Sequence, residues 1–430
     1  MQMVEIAQCL AQSEPQKVKL KGHIYSRRNF GNLTFLHLRD RTGVIQLVVE
    51  EPRLLAQVQA LELETPVLVE GELVPTKNGS EVKLHYLEAL SEPSLKLPVE
   101  IAKDKKMSAL NLKSMLDYRP LTLRNEKTRA IFKMEAVLCA AFRQFLTNEG
   151  FTEIHSPKIV STGTEGGAQV FKLDYFGRPA FLAQSPQFYK QMMVGVFERV
   201  FEIGPVYRAE EHDTSRHLNE YVSMDFEMGF IQSEEDVINM QVRLLKFMFE
   251  HLKEKCANEL SLWQAVVPTI KESIPQIDLE EAIALLESNY SWRAQSGDLD
   301  PEGEKLLCAY FAEKENSELV YVRRYPLSAR PFYTMPYGEH KSRSFDLLFR
   351  GLEITTGGQR IHRPDELIAG MHRVGLNENE FGDYLQCFQY GMPPHGGLAI
   401  GLERLAKQLL DLPNVRLASL FPRDRQRISP

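Results

Sequence analysis

Five short segments of alternating, β-branched composition fill the first 90 residues and restrict this part of the chain to a small all-β fold. Their sequences are KVKLKGHIYS, LTFLHLRD, VIQLVVE, TPVLVEGELVPT and SEVKLHYLEAL, and turns containing Gly and Asn separate the first three. Apolar residues at every second position are typical of strands with one buried face. Five such strands favour a five-stranded β-barrel of the OB type, whose surface commonly binds single-stranded nucleic acid.

The charge of this region is basic, although the chain as a whole is acidic. Residues 17–50 contain seven Lys or Arg and two acids, whereas the formal charge of the whole chain is −7 at pH 7. Phe30, Phe35 and His37 alternate with the basic residues, and aromatic rings beside cations are typical of a surface on which bases stack. A structural β-domain with ordinary surface lysines is the alternative interpretation.

The remaining sequence indicates a linker and a larger α+β domain. The polar stretch SEPSLKLPVEIAKDKKM is punctuated by proline, as linkers are, so we expect domains at residues 1–95 and 126–430 joined by a hinge at 96–125. An amphipathic helix is predicted from Glu126 to Gly150. Beyond it, strands and helices mix without regular βαβ alternation, which favours an antiparallel sheet, and residues from about 232 to 318 are predicted to form a mainly helical insertion.

Composition excludes several classes of protein. There is no run of 18 apolar residues, and the N-terminus lacks a basic start followed by an apolar stretch, so we expect neither a membrane span nor a secretory signal. The five cysteines are far apart and show no CxxC spacing. This pattern argues against a zinc site or a disulfide framework and favours a reducing, cytoplasmic location.

Residues 207–230, YRAEEHDTSRHLNEYVSMDFEMGF, concentrate acids, arginines and histidines between two apolar runs. A solvated hairpin tip is one interpretation, and a site for a nucleotide phosphate with its metal is the other. Two later stretches carry similar residues: SFDLLFRGLEITTGGQR contains Asp346 and Glu353, and HGGLAIGLERL contains Arg404. Because neither a P-loop nor a Rossmann fingerprint is present, a nucleotide would be held by another arrangement.

In this order, the stretches resemble the three signature motifs of class II aminoacyl-tRNA synthetases. FTEIHSPKIV, with Pro157 and the helix before it, resembles motif 1, VYRAEEHDTSRHLNEYVSMDFEM resembles motif 2, and GLAIGLERL resembles motif 3. QSPQFYKQ, RAEEHDTSRHLNE and GGQRIHR are similar to aspartyl-tRNA synthetases of the archaeal and eukaryotic type. The resemblance implies an α+β fold in which an OB-fold anticodon-binding barrel precedes an antiparallel sheet flanked by helices. It also implies a homodimer, because motif 1 forms the dimer interface in this class.

The resemblance implies that motifs 2 and 3 bind ATP. Arg208 would hold the α-phosphate and stabilise the charge of the transition state, with Glu210 beside it, since a guanidinium clamps two oxygens at once. His217 would contact the γ-phosphate, and Tyr221 and Arg404 would stack on the two faces of adenine. The catalytic residues implied are Arg208, Glu210 and Arg404.

The resemblance also implies a Mg²⁺ site at Asp346 and Glu353. Carboxylate oxygens suit this ion, which usually keeps one or two protein ligands and completes its shell with phosphates and water. Glu353 would thus also belong to the ATP site.

The amino-acid pocket follows from the same resemblance. Lys190 and Arg360 would both bind the side-chain carboxylate of aspartate, whereas the amide of asparagine would present donors to groups that are themselves only donors. Such a mismatch can discriminate by roughly 10⁴-fold. The other residues implied to contact aspartate, mostly at its ammonium group, are Glu165, Ser185, Gln187 and Asp225.

On the barrel, the resemblance implies that Phe35 stacks on an anticodon base, while Gln46 and Arg27 bond to base edges or phosphate. Members that charge only the aspartate tRNA tend to have tryptophan at the position of Tyr25, and members that also charge the asparagine tRNA have histidine there. Tyr25 matches neither pattern, so the range of tRNAs stays open at this point.

The activity implied is a two-step ligation: ATP and aspartate give aspartyl-adenylate, and the aspartyl group then passes to the 3′ end of tRNA(Asp), with tRNA(Asn) as an open second substrate. In that second case an amidotransferase would act downstream. An asparaginyl-tRNA synthetase and a catalytically inactive tRNA-binding paralogue are the alternatives. The second is disfavoured because Arg208, Arg404, Asp346 and Glu353 are all present.

Overall fold

A computed structural model describes residues 2–77, 79–93, 95–163, 169–295 and 297–430. Contacts within the chain divide it into two units, Met1–Asn125 and Glu126–Pro430. Each unit has its own hydrophobic core. Within the described ranges, none of the helices combines the length and apolar composition that crossing a membrane requires.

The first unit is built around a closed barrel of five strands. Its elements are α1 (Ile6–Leu10), β1 (Gln16–Phe30), β2 (Leu33–Arg39), β3 (Val44–Val49), α2 (Pro52–Ala60), β4 (Pro66–Thr76), β5 (Gly79–Ala89), α3 (Asp104–Ser108), α4 (Leu112–Asp117) and α5 (Arg119–Thr122). The barrel order is β1-β2-β3-β5-β4. Neighbours are antiparallel except β3 and β5, which are parallel.

The alternation seen in the sequence explains the interior of this barrel. Val18 and Leu20 of β1, and Leu36 and Leu38 of β2, are buried, while the residues between them are more exposed. Apolar side chains at every second position therefore fill the barrel, and polar ones remain outside. The predicted five-stranded OB barrel is confirmed.

The second unit begins with a long helix and continues through mixed elements. They are α6 (Glu126–Asn148), β6 (Thr152–Glu153), β7 (Ile159–Val160), β8 (Lys172–Tyr175), β9 (Arg178–Leu182), α7 (Gln187–Phe197), β10 (Arg199–Tyr207), β11 (Glu220–Gly229), α8 (Glu234–Lys255), α9 (Ala257–Trp263), β12 (Gln276–Asp278), α10 (Leu279–Asn289), α11 (Pro301–Glu315), β13 (Leu319–Arg323), β14 (Pro336–Tyr337), β15 (Lys341–Ser342), β16 (Ser344–Phe349), β17 (Leu352–Arg360), α12 (Pro364–Arg373), α13 (Gly382–Gln389), β18 (His395–Gly401) and α14 (Leu402–Leu409). Short 3₁₀ turns cover Leu327–Ala329, Glu378–Phe381 and Val415–Ala418.

An eight-stranded sheet forms the centre of this unit, in the order β12-β13-β16-β17-β18-β11-β10-β6. The pairs from β13 to β10 are antiparallel, and the two edge pairs, β12 with β13 and β10 with β6, are parallel. Helices α6 and α8 share a core with the sheet through Leu138, Phe142, Phe226 and Leu245, all of them buried. The predicted antiparallel sheet flanked by helices is confirmed, with a parallel pair at each edge.

Residues 232–318 contain helices α8 to α11 and the short edge strand β12. The start of α8 follows from its sequence, because the Ser233 side chain accepts from the backbone of Glu235 and a capping box with Asp236 completes the turn. The start of α11 has a similar cause: Asp300 caps the helix and Pro301 occupies its first position. One face of α11 is buried through Leu307 and Phe311.

Candidate active site

A cavity of about 700 Å³ lies over the middle of the eight-stranded sheet, within the usual volume range of small-molecule sites. Neighbouring strands β17, β18 and β11 contribute to its wall, together with α7, the start of α14 and the loop between β10 and β11. The structure brings eleven of the expected residues together there: Ser185, Gln187, Lys190, Arg208, Glu210, His217, Tyr221, Asp225, Glu353, Arg360 and Arg404. Glu165 lies outside the described residues.

One end of the cavity is closed by a buried group of alternating charges. The ammonium of Lys190 donates to the carboxylate of Asp225 at 3.0 Å and to the carbonyl of Leu398 at 3.0 Å, and lies 3.3 Å from Glu227 Oε2. Arg360 Nε donates to Glu227 Oε1 at 3.0 Å. Lys190 and Arg360 both line the cavity, so two cations converge on one carboxylate that lies behind them.

Glu227 is the member of this group that the sequence did not single out. Its side chain is fully buried, and burial alone would raise its pKa, yet Arg360 and Lys190 outweigh that effect and hold the pKa below its usual range. Glu227 is therefore the fixed counter-ion of the two cations. The signal in the sequence was its spacing of two from Asp225, because alternate residues of a strand share a face.

Backbone geometry makes room for this arrangement. Gly397 on β18 pairs with Glu227 on β11, and a Cβ at Gly397 would lie 2.1 Å from the carbonyl oxygen of Phe226 and 2.2 Å from Glu227 Oε2. Only glycine fits at this point. Its carbonyl also accepts a hydrogen bond from Arg360 at 3.0 Å, which fixes the guanidinium a second time.

Polar groups beside the cations complete this end of the cavity. Ser223 Oγ donates to Asp225, and the backbone of Gln187 donates to Ser185 Oγ at 3.3 Å. Gln187 Nε2 is buried and has no hydrogen-bond partner among the described residues, although its side chain borders the cavity. A buried amide donor without a partner is costly, and an acceptor on a ligand would satisfy it.

The other end of the cavity is formed mainly by the loop between β10 and β11. Glu210 Oε2 lies 3.7 Å from His217 Nε2, and Arg404 Nη1 lies 3.7 Å from Glu353 Oε2. Burial lowers the pKa of His217, and Arg404 adds to this effect while Glu210 opposes it. The guanidinium of Arg208 is oriented by the carbonyl of Gln184 at 3.3 Å. This end thus presents the guanidinium groups of Arg208 and Arg404 beside the imidazole of His217, whose pKa is lowered.

The C-terminal segment holds this loop in place. Arg416 donates to the carbonyl of Thr214 at 3.1 Å and forms ion pairs with Asp213 and Asp424. Two backbone bonds extend the contact, from Val415 to the carbonyl of Ser215 at 3.0 Å and from Asn219 to the carbonyl of Arg423 at 2.8 Å. The sequence did not indicate this support, because loop and C-terminus are about 200 residues apart.

Two further residues at this end were not anticipated. Arg216 lines the cavity and forms an ion pair with Glu304 of α11. Burial raises the pKa of Glu304 to about 7, with Arg216 opposing the shift and Glu353 adding to it. Arg216 lies within the charged stretch 207–230, whereas Glu304 lies in the helical region whose sequence was least informative.

The two carboxylates expected to bind Mg²⁺ differ in their access to the cavity. Glu353 lines it, whereas Asp346 is buried behind it and accepts from Arg330 Nη2 at 2.7 Å. Burial raises the pKa of Asp346, Arg330 opposes this and Glu353 adds to it, and Asp346 Oδ1 has no hydrogen-bond partner among the described residues.

No group of three or more His, Cys, Asp or Glu among the described residues could hold a metal ion. Two carboxylates that repel each other, one with an unsatisfied oxygen, fit a divalent cation that takes its remaining ligands from phosphates and water. The residues therefore fit Mg²⁺ bound jointly with a nucleotide, but not a preformed site that the protein supplies alone.

Two of the residues expected to contact the anticodon, Phe35 and Gln46, lie on the outer face of the barrel. Phe35 lies edge-to-face with Phe30 at 5.8 Å between ring centroids, and Phe30 is 61% exposed. Gln46 pairs in register with His37 on the neighbouring strand, and its amide donates to Glu81 at 3.0 Å. An aromatic pair next to polar side chains is a surface on which bases can stack.

Tyr25 and Arg27, the other two residues expected to contact the anticodon, make contacts within the first unit. The register of β1 is irregular between Ile24 and Ser26. Tyr25 is buried in a small cluster with Ile101 and Met107, separate from the core of the barrel, and its hydroxyl donates to the carbonyl of Ile101 at 3.2 Å. The Arg27 guanidinium donates to the carbonyls at the end of α2, among them Leu61 at 2.8 Å. An alternating pattern cannot reveal such a bulge.

Comparison with known proteins agrees with this geometry. The family model tRNA synthetases class II (D, K and N) matches residues 111–425, and the model OB-fold nucleic acid binding domain matches residues 18–90. The aspartate–tRNA(Asp/Asn) ligase of Deinococcus radiodurans is 48% identical over 428 residues, covering 98% of this chain and 97% of the relative. The aspartate–tRNA(Asp) ligase of Pyrococcus abyssi is 41% identical, covering 96% of each chain.

Among solved structures, asparaginyl-tRNA synthetase from Pyrococcus horikoshii complexed with asparaginyl-adenylate superposes with a TM-score of 0.92 over the full length of both chains. Its sequence identity to this chain is 29%. The fold is therefore shared with asparaginyl enzymes, while sequence identity is higher to the aspartate ligases.

Proposed function

Because the chain belongs to the class II tRNA synthetases that serve aspartate, lysine and asparagine, we propose that it is an ATP-dependent aspartate–tRNA ligase. The observation that carries this conclusion is the convergence of Lys190 and Arg360 at the closed end of the cavity. A substrate carboxylate can accept from both cations, whereas the amide nitrogen of asparagine would meet two donors. The identities of 48% and 41% to aspartate ligases favour the same substrate.

The reaction proceeds in two steps. The α-carboxylate of aspartate attacks the α-phosphorus of ATP and displaces pyrophosphate, which gives aspartyl-adenylate. The 3′-hydroxyl of the terminal adenosine of the tRNA then attacks the carbonyl carbon, and AMP leaves. In both steps negative charge develops on oxygen atoms at the reacting centre. Fixed cations that stabilise this charge accelerate the steps more than a proton-transfer group would.

The nucleotide residues have separate roles in this proposal. Arg208 stabilises the α-phosphate, and its fixed guanidinium makes this stabilisation available without reorganisation. Tyr221 and Arg404 enclose adenine, Glu210 orients the neighbouring groups, and His217 contacts the terminal phosphate. Asp225 receives the substrate's ammonium group, to which Glu165 is also assigned, and Gln187 and Ser185 line the same end of the cavity.

Asp346 and Glu353 would hold Mg²⁺ in this proposal, together with ATP. When bound, the ion neutralises phosphate charge. Glu353 raises the pKa of Asp346, because the two carboxylates repel each other. A bound cation would relieve this repulsion.

For the tRNA, we propose that residues 1–95 bind the anticodon through the face that carries Phe35 and Gln46, and that both tRNA(Asp) and tRNA(Asn) are charged. The higher identity to a relative named for both tRNAs supports this over a strict enzyme. An amidotransferase would then convert the aspartyl group on tRNA(Asn). A homodimer through the motif 1 region, residues 126–160, belongs to the same proposal.

The experiment that tests this function is aspartate charging of two transcripts, tRNA(Asp) with a GUC anticodon and tRNA(Asn) with GUU. The expected result is charging of both with comparable kcat/KM. Charging of tRNA(Asp) alone would keep the ligase and refute the dual specificity. Charging of neither, in a preparation that binds ATP, would refute the function itself.

A further inference from the structure

Glu304 belongs to the helical insertion, yet its carboxylate contacts a residue of the cavity wall, Arg216. It lies in the first turn of α11, and the start of that helix is closely defined. Asp300 accepts from the backbone of Gly303 at 2.8 Å and from the indole of Trp292 at 2.9 Å. A Cβ at Gly303 would lie 2.8 Å from the Trp292 ring, so indole and helix are in close contact. The helix start therefore has little freedom to move.

The first turn of α11 also packs on the turn that leads into β17. A Cβ at Gly351 would lie 2.7 Å from the side chain of Lys305 and 2.9 Å from its Cα, which shows how near the two backbones are. The backbone N–H of Glu353 points to Glu304 Oε2 at 3.4 Å. These contacts fix the position of Glu304 against the sheet as well as within its own helix.

The main partner of Glu304 is Arg216. Arg216 Nη2 donates to Glu304 Oε2, and the two side chains are 19% and 12% exposed. Arg216 is part of the cavity wall, whereas Glu304 lies behind it and is not. The carboxylate is therefore positioned to hold the guanidinium rather than to touch a ligand.

An arginine on a long loop needs such a partner. Ordering its flexible side chain costs conformational entropy. A partly buried ion pair to a helix orders the side chain before a ligand binds, so less of that cost falls on the binding step. A charge-assisted hydrogen bond to a guanidinium is directional, so the carboxylate also sets the orientation of the remaining N–H donors.

We propose that Glu304 is a positioning residue of the nucleotide site, which fixes the Arg216 guanidinium at the cavity wall so that it can bind the phosphates of ATP. The helical insertion then has a role in the first step of the reaction, because it supplies the support for a cation that the core motifs carry. The proposal rests on the proposed function, since it assumes that ATP occupies this end.

The test measures the Kd for ATP by calorimetry and the KM for ATP in aspartate-dependent pyrophosphate exchange. Glu304→Gln keeps the shape of the side chain and removes its charge, and we expect both constants to rise about tenfold. The KM for aspartate should change less than twofold. Glu302→Gln is the matched control, because Glu302 lies in the same turn and its side chain is 61% exposed; it should leave all constants unchanged.

A double variant distinguishes positioning of Arg216 from an effect through Glu353. In the Arg216→Ala background, Glu304→Gln should cause no further increase in either constant, since the group that it positions is gone. Equal effects of Glu304→Gln in both backgrounds would overturn the proposal, as would an unchanged or lower KM for ATP in the single variant. Glu304→Asp keeps the charge, so its Kd and KM for ATP should lie between those of the unaltered protein and those of Glu304→Gln. It replaces Glu304→Gln in the test if that variant does not fold.

The proposed function can fail separately. If the unaltered protein binds ATP but shows no aspartate-dependent exchange, the ligase function is refuted, while the Kd for ATP still tests the role of Glu304. If Arg216→Ala leaves the Kd for ATP unchanged, the proposed role of Glu304 is overturned, while the ligase function is not affected.

Discussion

The two ends of the cavity hold their charged side chains in different ways. At the closed end, which we propose binds the amino acid and call the amino-acid end, Lys190, Asp225 and Arg360 have side chains that are 2%, 2% and 7% exposed and lie on regular elements of the fold. At the other end, which we propose binds ATP and call the nucleotide end, the side chains of His217 and Arg404 are 26% and 30% exposed. The first end is built on β11, β17 and α7, whereas much of the second depends on the loop between β10 and β11, which distant segments hold in place.

This difference matches what each end must do. Discrimination between aspartate and asparagine concerns a single group, and buried ion pairs discriminate strongly because an unmatched charge there has no water to solvate it. ATP has three phosphates and a large base, so several moderate contacts can share its binding. Variants at the amino-acid end should therefore have large effects, and variants that loosen the loop should have graded ones.

The largest effect is expected for Arg360→Gln. It leaves Glu227 buried with Lys190 as its remaining close cation and removes one of the two donors for the substrate carboxylate. We expect kcat/KM for aspartate in pyrophosphate exchange to fall about 10³-fold, while the KM for ATP changes little. Arg363→Gln is the control, because Arg363 lies three residues away with a side chain that is 66% exposed. A loss of less than tenfold would show that the two ends do not differ as described.

A moderate effect is expected for Arg416→Gln. This arginine holds Asp213 and the carbonyl of Thr214, so its loss should loosen the loop that carries His217. We expect the KM for ATP to rise roughly fivefold to tenfold, with the KM for aspartate nearly constant. Arg425→Gln is the milder comparison, because the exposed Arg425 makes a single-donor contact at 3.3 Å to the carbonyl of Glu211 in the same loop, and it should raise the KM for ATP less than Arg416→Gln does. An equal rise in both KM values would contradict the separation of the two ends.

The smallest effect concerns stability at the amino-acid end. His395 pairs with Arg360 in register, and burial lowers the pKa of His395 to about 4, although Glu227 opposes the shift. The unfolded chain therefore binds a proton at His395 more readily than the folded protein does. As a result, the free energy of unfolding decreases as the pH falls from about 6.5 toward 4. The free energy of unfolding is measured in urea at pH 7 and at pH 4.5. The decrease between these two pH values should be smaller by about 2 kcal/mol in His395→Asn than in the unaltered protein. An unchanged pH dependence would show that His395 does not titrate in this window.

Much of the site could be predicted because its residues lie in short, ordered motifs. Lys190, Arg208 and Arg404 each stand in such a motif, and the cavity contains all three. Alternation likewise predicted the barrel, since strand period and burial have the same cause. Glu227 could have been found by the same reasoning, from its spacing of two to Asp225.

The residues that sequence reasoning missed act through contacts between distant segments. Glu304 and Arg216 are 88 positions apart, and Arg416 and Thr214 are 202 apart, so no local pattern links them. The burial of Tyr25 could not be predicted from alternation for a local reason, because the irregular register of β1 leaves the consecutive residues Ile24 and Tyr25 both buried.

The most direct test of the central claim is tRNA-independent ATP–pyrophosphate exchange with L-aspartate and with L-asparagine on the unaltered protein. The buried pair of cations predicts that aspartate supports exchange and that kcat/KM for asparagine is lower by about 10⁴-fold. Comparable exchange with asparagine would contradict the assignment of the closed end of the cavity to a substrate carboxylate.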